Sequence, residues 1–332
     1  MADLTIANEA LRKLLEREGT GISWADLTFN PWIGCTRVSP ACDNCYAETL
    51  ATNRLGVHWG PHADRRRTAA STWAKPLRWD RIAADVGVQL RVFCASLADV
   101  FDNKAPQEWR EDLWRLIRAT PNLTWMLLTK RPQNIDRMLP GAVVADVPAN
   151  VWLGTTAEDQ PHAEQRVGLT QLIAGAFGWI PFVSAEPLLG PLDLTRIRTG
   201  DGRLLNALTG ELTGGGIVAP LGLVIAGGES GPDARPSHPD WIRALRDQCD
   251  GAVTPFHFKQ WGEYLPEGQL DAKGFGWAPG QDGRVHWWQP EPTFGDHLPD
   301  GACSVRIGTK RAGRRLDGVI HDGLPDLARE IG

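Results

Sequence analysis

An α/β fold built around a parallel sheet is the class this sequence predicts, on three observations. Between residues 22 and 261, short apolar runs rich in β-branched side chains alternate with amphipathic helical stretches, the pattern of buried strands joined by helical crossovers. Nearly every apolar run ends on a polar or charged residue beside small ones, and active sites of parallel α/β folds form at the carboxyl ends of strands. No internal repeat or low-complexity tract breaks the alternation. At this level the sheet is a complete or partial barrel, or a doubly wound sheet.

Taken in order, residues 5–18 read as a short amphipathic helix, and 27–33 as an extended piece leading straight into Cys35. Strands are expected at 90–95, 123–128, 151–154, 181–184, 223–226 and 255–258, and helices at 46–55, 106–118, 134–139, 160–176 and 239–248. Pro106 and Pro239 stand where a first helical turn tolerates proline. Residues 193–220 are rich in Gly, Thr and Leu with a Gly200-Asp201-Gly202 turn signal, an inserted hairpin or loop. The expected organisation is a (β/α) domain over 1–262 and an irregular, strand-containing C-terminal extension over 263–332, where glycine, proline and tryptophan dominate.

Among 332 residues, 42% are hydrophobic and 23% charged, as in ordinary globular proteins. No apolar run approaches the roughly 20 residues that span a bilayer, and the N-terminus lacks a signal-peptide pattern. A cytoplasmic protein with no membrane partner is therefore expected. The net charge of −5 argues against coating nucleic acid by charge alone. Local basic sites remain at Arg65-Arg66-Arg67 and at Lys310, Arg311, Arg314 and Arg315; each reads as a solvated run or as a phosphate grip. Fifteen tryptophans against two tyrosines suit core filling, with Trp32 and Trp59 beside Cys35 and Cys45 as candidates for covering a site or stacking on substrate.

Of six cysteines, Cys35, Cys42 and Cys45 fall within eleven residues, while Cys94, Cys249 and Cys303 are scattered. Three thiolates on one loop can bind three irons of a 4Fe-4S cluster and leave the fourth open to an external ligand. A helix starting near Tyr46 would point its positive end toward them. Zinc is the competing reading. Cys42, Cys45, His58 and His62 match the C-x2-C-x12-H-x3-H finger spacing, but Gly60 and Pro61 stand where a finger needs helix, Thr49 replaces its core aromatic, and Cys35 is left unused. A site of three cysteines with His58 or His62 is a second zinc option. It would make the chain a zinc-stabilised nucleic-acid-binding or protein-interaction module without redox chemistry.

The run Asn30-Pro31-Trp32-Ile33-Gly34-Cys35, followed by Cys42-x2-Cys45-Tyr46-Ala47, resembles the start of spore photoproduct lyase and related radical S-adenosylmethionine (SAM) proteins. Over nearly its full length the chain is similar to a phage-associated, functionally uncharacterised three-cysteine-motif family. Ile22-Ser23-Trp24-Ala25-Asp26, Leu128-Thr129-Lys130-Arg131-Pro132, Phe258-Lys259-Gln260-Trp261-Gly262 and Gly313-Arg314-Arg315-Leu316-Asp317-Gly318 carry that similarity. Two departures stand out: six residues rather than three separate Cys35 from Cys42, and Asn44 occupies the usual aromatic position before the last cysteine.

The resemblance implies a partial parallel (β/α) barrel of radical SAM type, a 4Fe-4S cluster on Cys35, Cys42 and Cys45, and S-adenosyl-L-methionine as cofactor. It further implies an external one-electron donor, cleavage to a 5′-deoxyadenosyl radical, and a nucleic-acid base or nucleotide as substrate for modification or repair. The cofactor-binding candidates are then Lys130 or Lys259 for its carboxylate, Glu186 or Glu229 for its amino group or ribose hydroxyls, and Ser184 beside them. Gly227-Gly228-Glu229 resembles the Gly-Gly-Glu stretch with which radical SAM proteins meet the amino group, although here it follows a late strand.

Overall fold

The computed structural model describes residues 4–139, 147–266, 269 and 304–326. The chain opens with α1 (Leu4–Glu18), β1 (Leu27–Phe29), β2 (Trp32–Ile33), α2 (Tyr46–Leu55), β3 (Arg66–Arg67), α3 (Ala70–Trp73), α4 (Lys75–Val86) and β4 (Leu90–Cys94). It continues through α5 (Gln107–Arg118), β5 (Leu123–Thr129), β6 (Val151–Thr156), α6 (Gln160–Ala176) and β7 (Ile180–Ala185). Then follow β8 (Ile197–Arg198), β9 (Leu204–Asn206), β10 (Glu211–Leu212), β11 (Leu223–Gly227), α7 (Pro239–Ala252) and β12 (Phe256–Gln260). Last come β13 (Tyr264–Pro266), β14 (Ser304–Arg306), α8 (Thr309–Ala312), β15 (Arg315–Leu316) and β16 (Val319–Ile320).

Seven strands form one sheet in the order β1-β4-β5-β6-β7-β11-β12, and every neighbouring pair is parallel. The order never reverses, so right-handed crossovers fall on one face and the sheet curls. A doubly wound sheet would need a switch point. The result is a half-barrel. Leu90, Val92, Leu123, Trp125, Leu127, Val151 and Leu153 face the outer helical layer, while Phe93, Met126, Trp152, Phe182, Leu223 and Ile225 meet on the inner face with Trp24. Inside, the Phe182 ring fills the space over Gly154, where an added Cβ would lie 2.2 Å from the ring.

The barrel stays open between β1 and β12. Ser23 Oγ and His257 Nε2, 2.7 Å apart, join the two ends. Backbone pairing covers both sheet edges: Thr20 N donates to Asp26 O beside β1, and Phe258 N donates to His321 O beside β12. Such cover removes the open hydrogen-bonding edge that would otherwise template association.

The strands fall within two residues of their expected places. The insert at 193–220 is a three-stranded antiparallel sheet, β8-β9-β10. The helix expected at 134–139 is instead a pair of 3-10 turns, Pro132–Asn134 and Asp136–Met138, held by Asn134 Nδ2 donating to Phe101 O and Trp114 Nε1 donating to Met138 O. These tertiary bonds fix the turns in place of an α-helical ladder. Helix α7 runs four residues past the expected end, through Gly251, and its left-handed cap is Val253 at φ 56°.

Of the expected extension over 263–332, residues 267–268, 270–303 (Cys303 among them) and 327–332 lie outside the described residues. The described part packs on the sheet: Ala312 and Leu316 are buried with Phe258 and Trp261, and Trp261 Nε1 donates to Arg315 O at 2.8 Å. Among the described residues no helix is long and apolar enough to cross a membrane.

Candidate metal and cofactor site

The loop that carries the cysteines is built along the carboxyl end of β4. Gly34 takes φ 120°, a conformation that favours glycine; its N–H donates to Leu97 O at 3.0 Å, extending the sheet's pairing into the loop. Two buried arginines then hold Thr36. Arg65 Nη2 donates to Thr36 Oγ1 at 2.7 Å while its Nε donates to Asp102 at 2.7 Å. Arg131 Nη2 donates to Thr36 O at 2.6 Å, and its Nη1 reaches both Asp99 Oδ2 at 2.8 Å and Cys35 Sγ at 3.5 Å. Asp99 is itself fixed by Thr129 Oγ1 and by the Lys130 N–H.

The second half of the loop turns through a 3-10 segment, Pro40–Cys42, and enters α2 with Cys45 at the N-cap. The helix N-terminus therefore sits beside a cysteine, where its dipole favours negative charge. Behind the loop, Glu229 Oε2 accepts from Asn44 Nδ2 at 3.1 Å. Arg235 grips both Glu229 oxygens, at 2.9 and 2.7 Å, and also donates to Pro40 O at 2.8 Å. Burial acts to raise the Glu229 carboxyl, but Arg235 and Asn44 outweigh it and hold it below the ordinary carboxylate range.

One cavity collects most of the expected site. Cys35, Cys42 and Cys45 line it together with Lys130, Ser184, Glu186 and Lys259. Lys259 Nζ lies 3.1 Å from Glu186 Oε1, and Ser184 Oγ donates to Glu186 Oε2 at 3.3 Å. Burial, with Asp99 adding and Arg131 opposing, pushes the Cys35 thiol up to about 11, so a metal that takes this sulfur as thiolate must displace its proton.

The structure does not bring Gly227, Gly228 and Glu229 to this cavity. Gly227 is tight against Glu186, and a Cβ on Gly228 would strike Trp261 O at 1.9 Å; Glu229 clamps the loop from behind, so its carboxylate is engaged by Asn44 and Arg235. Trp32 is fully buried in the core, whereas Trp59 lines the cavity. In the run Arg65-Arg66-Arg67, Arg65 is buried on Asp102, Arg67 pairs with Asp112 and stacks on Trp73, and exposed Arg66 donates to Leu55 O. At the other basic stretch Arg314 pairs with Asp322. His58 and His62 are exposed on a non-helical stretch outside the cavity lining. Sequence reasoning missed Asp99, Thr36 and Arg235 as site residues, took Arg65 only within a basic run and Asn44 only as a departure from the motif, and named Arg131 only within the Leu128–Pro132 block.

Among the described residues no three His, Cys, Asp or Glu side chains converge on one ion. The donor chemistry is nevertheless that of a soft-metal site, three thiols of one loop that suit an iron–sulfur cluster or zinc. They stand beside the Arg131 cation and a helix N-terminus, both of which favour thiolate charge.

Fold and site together define a parallel α/β half-barrel with three cysteines at its carboxyl mouth. The chain belongs to the DUF5131 family, described as protein of unknown function, whose model matches residues 19–325. No curated protein matches the chain. Among solved structures it is similar to a doubly substituted spore photoproduct lyase with bound AdoMet and dinucleoside spore photoproduct. That match has 10% identity and a TM-score of 0.42 over 80% of this chain and 67% of that one. A singly substituted spore photoproduct lyase matches at 9% identity and a TM-score of 0.43, over 79% of this chain and 86% of that one.

Proposed function

We propose that this chain is an iron–sulfur enzyme of the radical SAM type, in which Cys35, Cys42 and Cys45 each ligate one iron of a 4Fe-4S cluster. The observation that carries the reading is the meeting of the three thiols with Lys130, Ser184, Glu186 and Lys259 around one cavity. When bound and reduced by an external one-electron donor, such a cluster supplies the electron that cleaves S-adenosylmethionine to methionine and a 5′-deoxyadenosyl radical.

The chain's own residues would bind and orient. Among the described residues no side chain pairs with the Lys130 ammonium, which suits it to the cofactor carboxylate. Glu186, flanked by Ser184 and Lys259, would accept from the amino group or a ribose hydroxyl. Trp59 and Tyr46 at the cavity offer flat faces for a base, in keeping with a nucleic-acid base or nucleotide as substrate. Trp24, buried in the inner-face cluster, also lines the cavity and would help to exclude water there.

The test is anaerobic purification with iron and sulfide analysis, then electron paramagnetic resonance of the reduced protein with and without S-adenosylmethionine. A four-iron signal that shifts on adding the cofactor supports the reading. A cluster indifferent to the cofactor would leave only a structural metal. Stoichiometric zinc without sulfide would leave a zinc-stabilised binding module in its place.

A further inference from the structure

We propose that Arg131, oriented by Asp99, tunes the reduction potential of the cluster through the Cys35 sulfur; this rests on the function proposed above. The guanidinium and the carboxylate lie 2.8 Å apart with side chains 7% exposed each, so their charges act at the low effective dielectric of the interior rather than through water. Arg131 Nη1 donates to Cys35 Sγ at 3.5 Å, which places the positive end of the pair toward the metal ligand. Hydrogen bonds to the sulfurs and nearby charge are among the levers that set iron–sulfur potentials.

Arginine is the residue this geometry requires. Its two terminal nitrogens reach three acceptors at once, Cys35 Sγ, Asp99 Oδ2 and Thr36 O, and the compact ammonium of lysine cannot repeat that fork. Asp99 accepts from Thr129 Oγ1, the Lys130 N–H and the Phe101 N–H as well, so the pair is anchored to the end of β5. The neighbouring buried pair, Arg65 with Asp102, meets the same Thr36 through its Oγ1, and neither of its members is altered by changes at Arg131 or Asp99.

The sign is fixed by electrostatics. Reduction adds an electron to the cluster, and a cation near a ligand sulfur favours the reduced state. Arg131→Gln removes the cation and leaves Asp99 negative, so the potential falls. Asp99→Asn keeps an acceptor oxygen for Thr129 and leaves the cation uncompensated, so the potential rises. Arg131 is thus a positioning residue acting on the cluster through Cys35, and its two variants carry opposite signatures. If the pair merely held the loop in shape, both changes would loosen the same loop and act in the same sense.

The experiment is a spectroscopically monitored redox titration of the cluster in the anaerobic full-length protein, without S-adenosylmethionine, for the native chain, Arg131→Gln and Asp99→Asn. About a tenfold change in the one-electron equilibrium is expected for each, equal to about 59 mV, downward for Arg131→Gln and upward for Asp99→Asn. Arg131→Lys, which keeps the charge and loses the fork, should fall between Arg131→Gln and the native chain. An intact cluster whose potential ignores both changes, or moves the same way in both, overturns this inference alone. A native protein that holds zinc and no sulfide overturns the functional reading and this inference together.

Discussion

Asn44 Nδ2 donates to Glu229 Oε2 at 3.1 Å, joining the turn between Cys42 and Cys45 to the segment after β11, 185 positions further along the chain. The Gly-Gly-Glu stretch thus acts on the cysteine loop from behind. Arg235 completes the latch by holding Glu229 and Pro40 O together.

Cutting that latch should loosen the metal while leaving the fold. Glu229→Ala removes the acceptor shared by Asn44 and Arg235, so the loop between Cys42 and Cys45 gains freedom. A ferrous chelator should then extract iron several-fold faster than from the native protein. Glu229→Gln keeps one acceptor oxygen and should lie between. Equal extraction rates in all three proteins would show that the latch has no hold on the site.

The three loop cysteines should behave as a unit. Cys35→Ala, Cys42→Ala and Cys45→Ala are each expected to abolish cluster binding, because two thiolates leave two of the four irons of a cubane without a protein ligand. Cys94→Ala and Cys249→Ala should leave iron content unchanged, since both thiols are buried in the outer core layer. Iron and sulfide analysis of the five variants decides this, and a full cluster in the Cys35 variant would remove the central assignment.

What the sequence made legible follows from locality. The three cysteines lie on one loop and the strand ends are marked by composition, so the three thiols and the strand-end residues Lys130, Ser184, Glu186 and Lys259, which meet at one cavity, could be chosen from local pattern. Arg131 could not be assigned its role, because its contact with Cys35 spans 96 positions. Arg65-Arg66-Arg67 misled for the same reason. A run of like charge reads as solvated until Asp102 and Asp112, brought up by the fold, bury or pair Arg65 and Arg67. The barrel rather than a doubly wound sheet depended on strand order, which periodicity does not contain.

Gly154 is expected to resist any side chain. It lies in β6 under the Phe182 ring, and a Cβ there would come within 2.2 Å of the ring carbons. Phe182 is fully buried and cannot swing into solvent. Gly154→Ala should therefore destabilise the fold by about 1–3 kcal/mol, the usual range for overpacking a core. Adding Phe182→Leu should recover part of the loss. Denaturant midpoints test the pair, and an unchanged midpoint in Gly154→Ala would mean that the inner face has room to spare.

The closure between β1 and β12 should make stability pH-dependent through His257. This ring is fully buried, its Nε2 meets Ser23 Oγ at 2.7 Å, and its Nδ1 has no partner among the described residues. Burial, with Arg314 adding to it, lowers its pKa from 6.5 to about 4. Asp322 faces the ring from the edge segment and opposes the shift, while Arg91 and Lys259 reinforce it. The unfolded chain therefore binds this proton more readily than the folded one. The contribution is fully present above about pH 6.5 and is lost as pH falls through about 4, amounting to roughly 3 kcal/mol. Urea unfolding at pH 7.5 and pH 4.5 should show a larger acid loss in the native chain than in His257→Gln, which carries no proton to gain. Equal losses would mean that the ring accepts its charge in place, with the seam between β1 and β12 opening to water to solvate it.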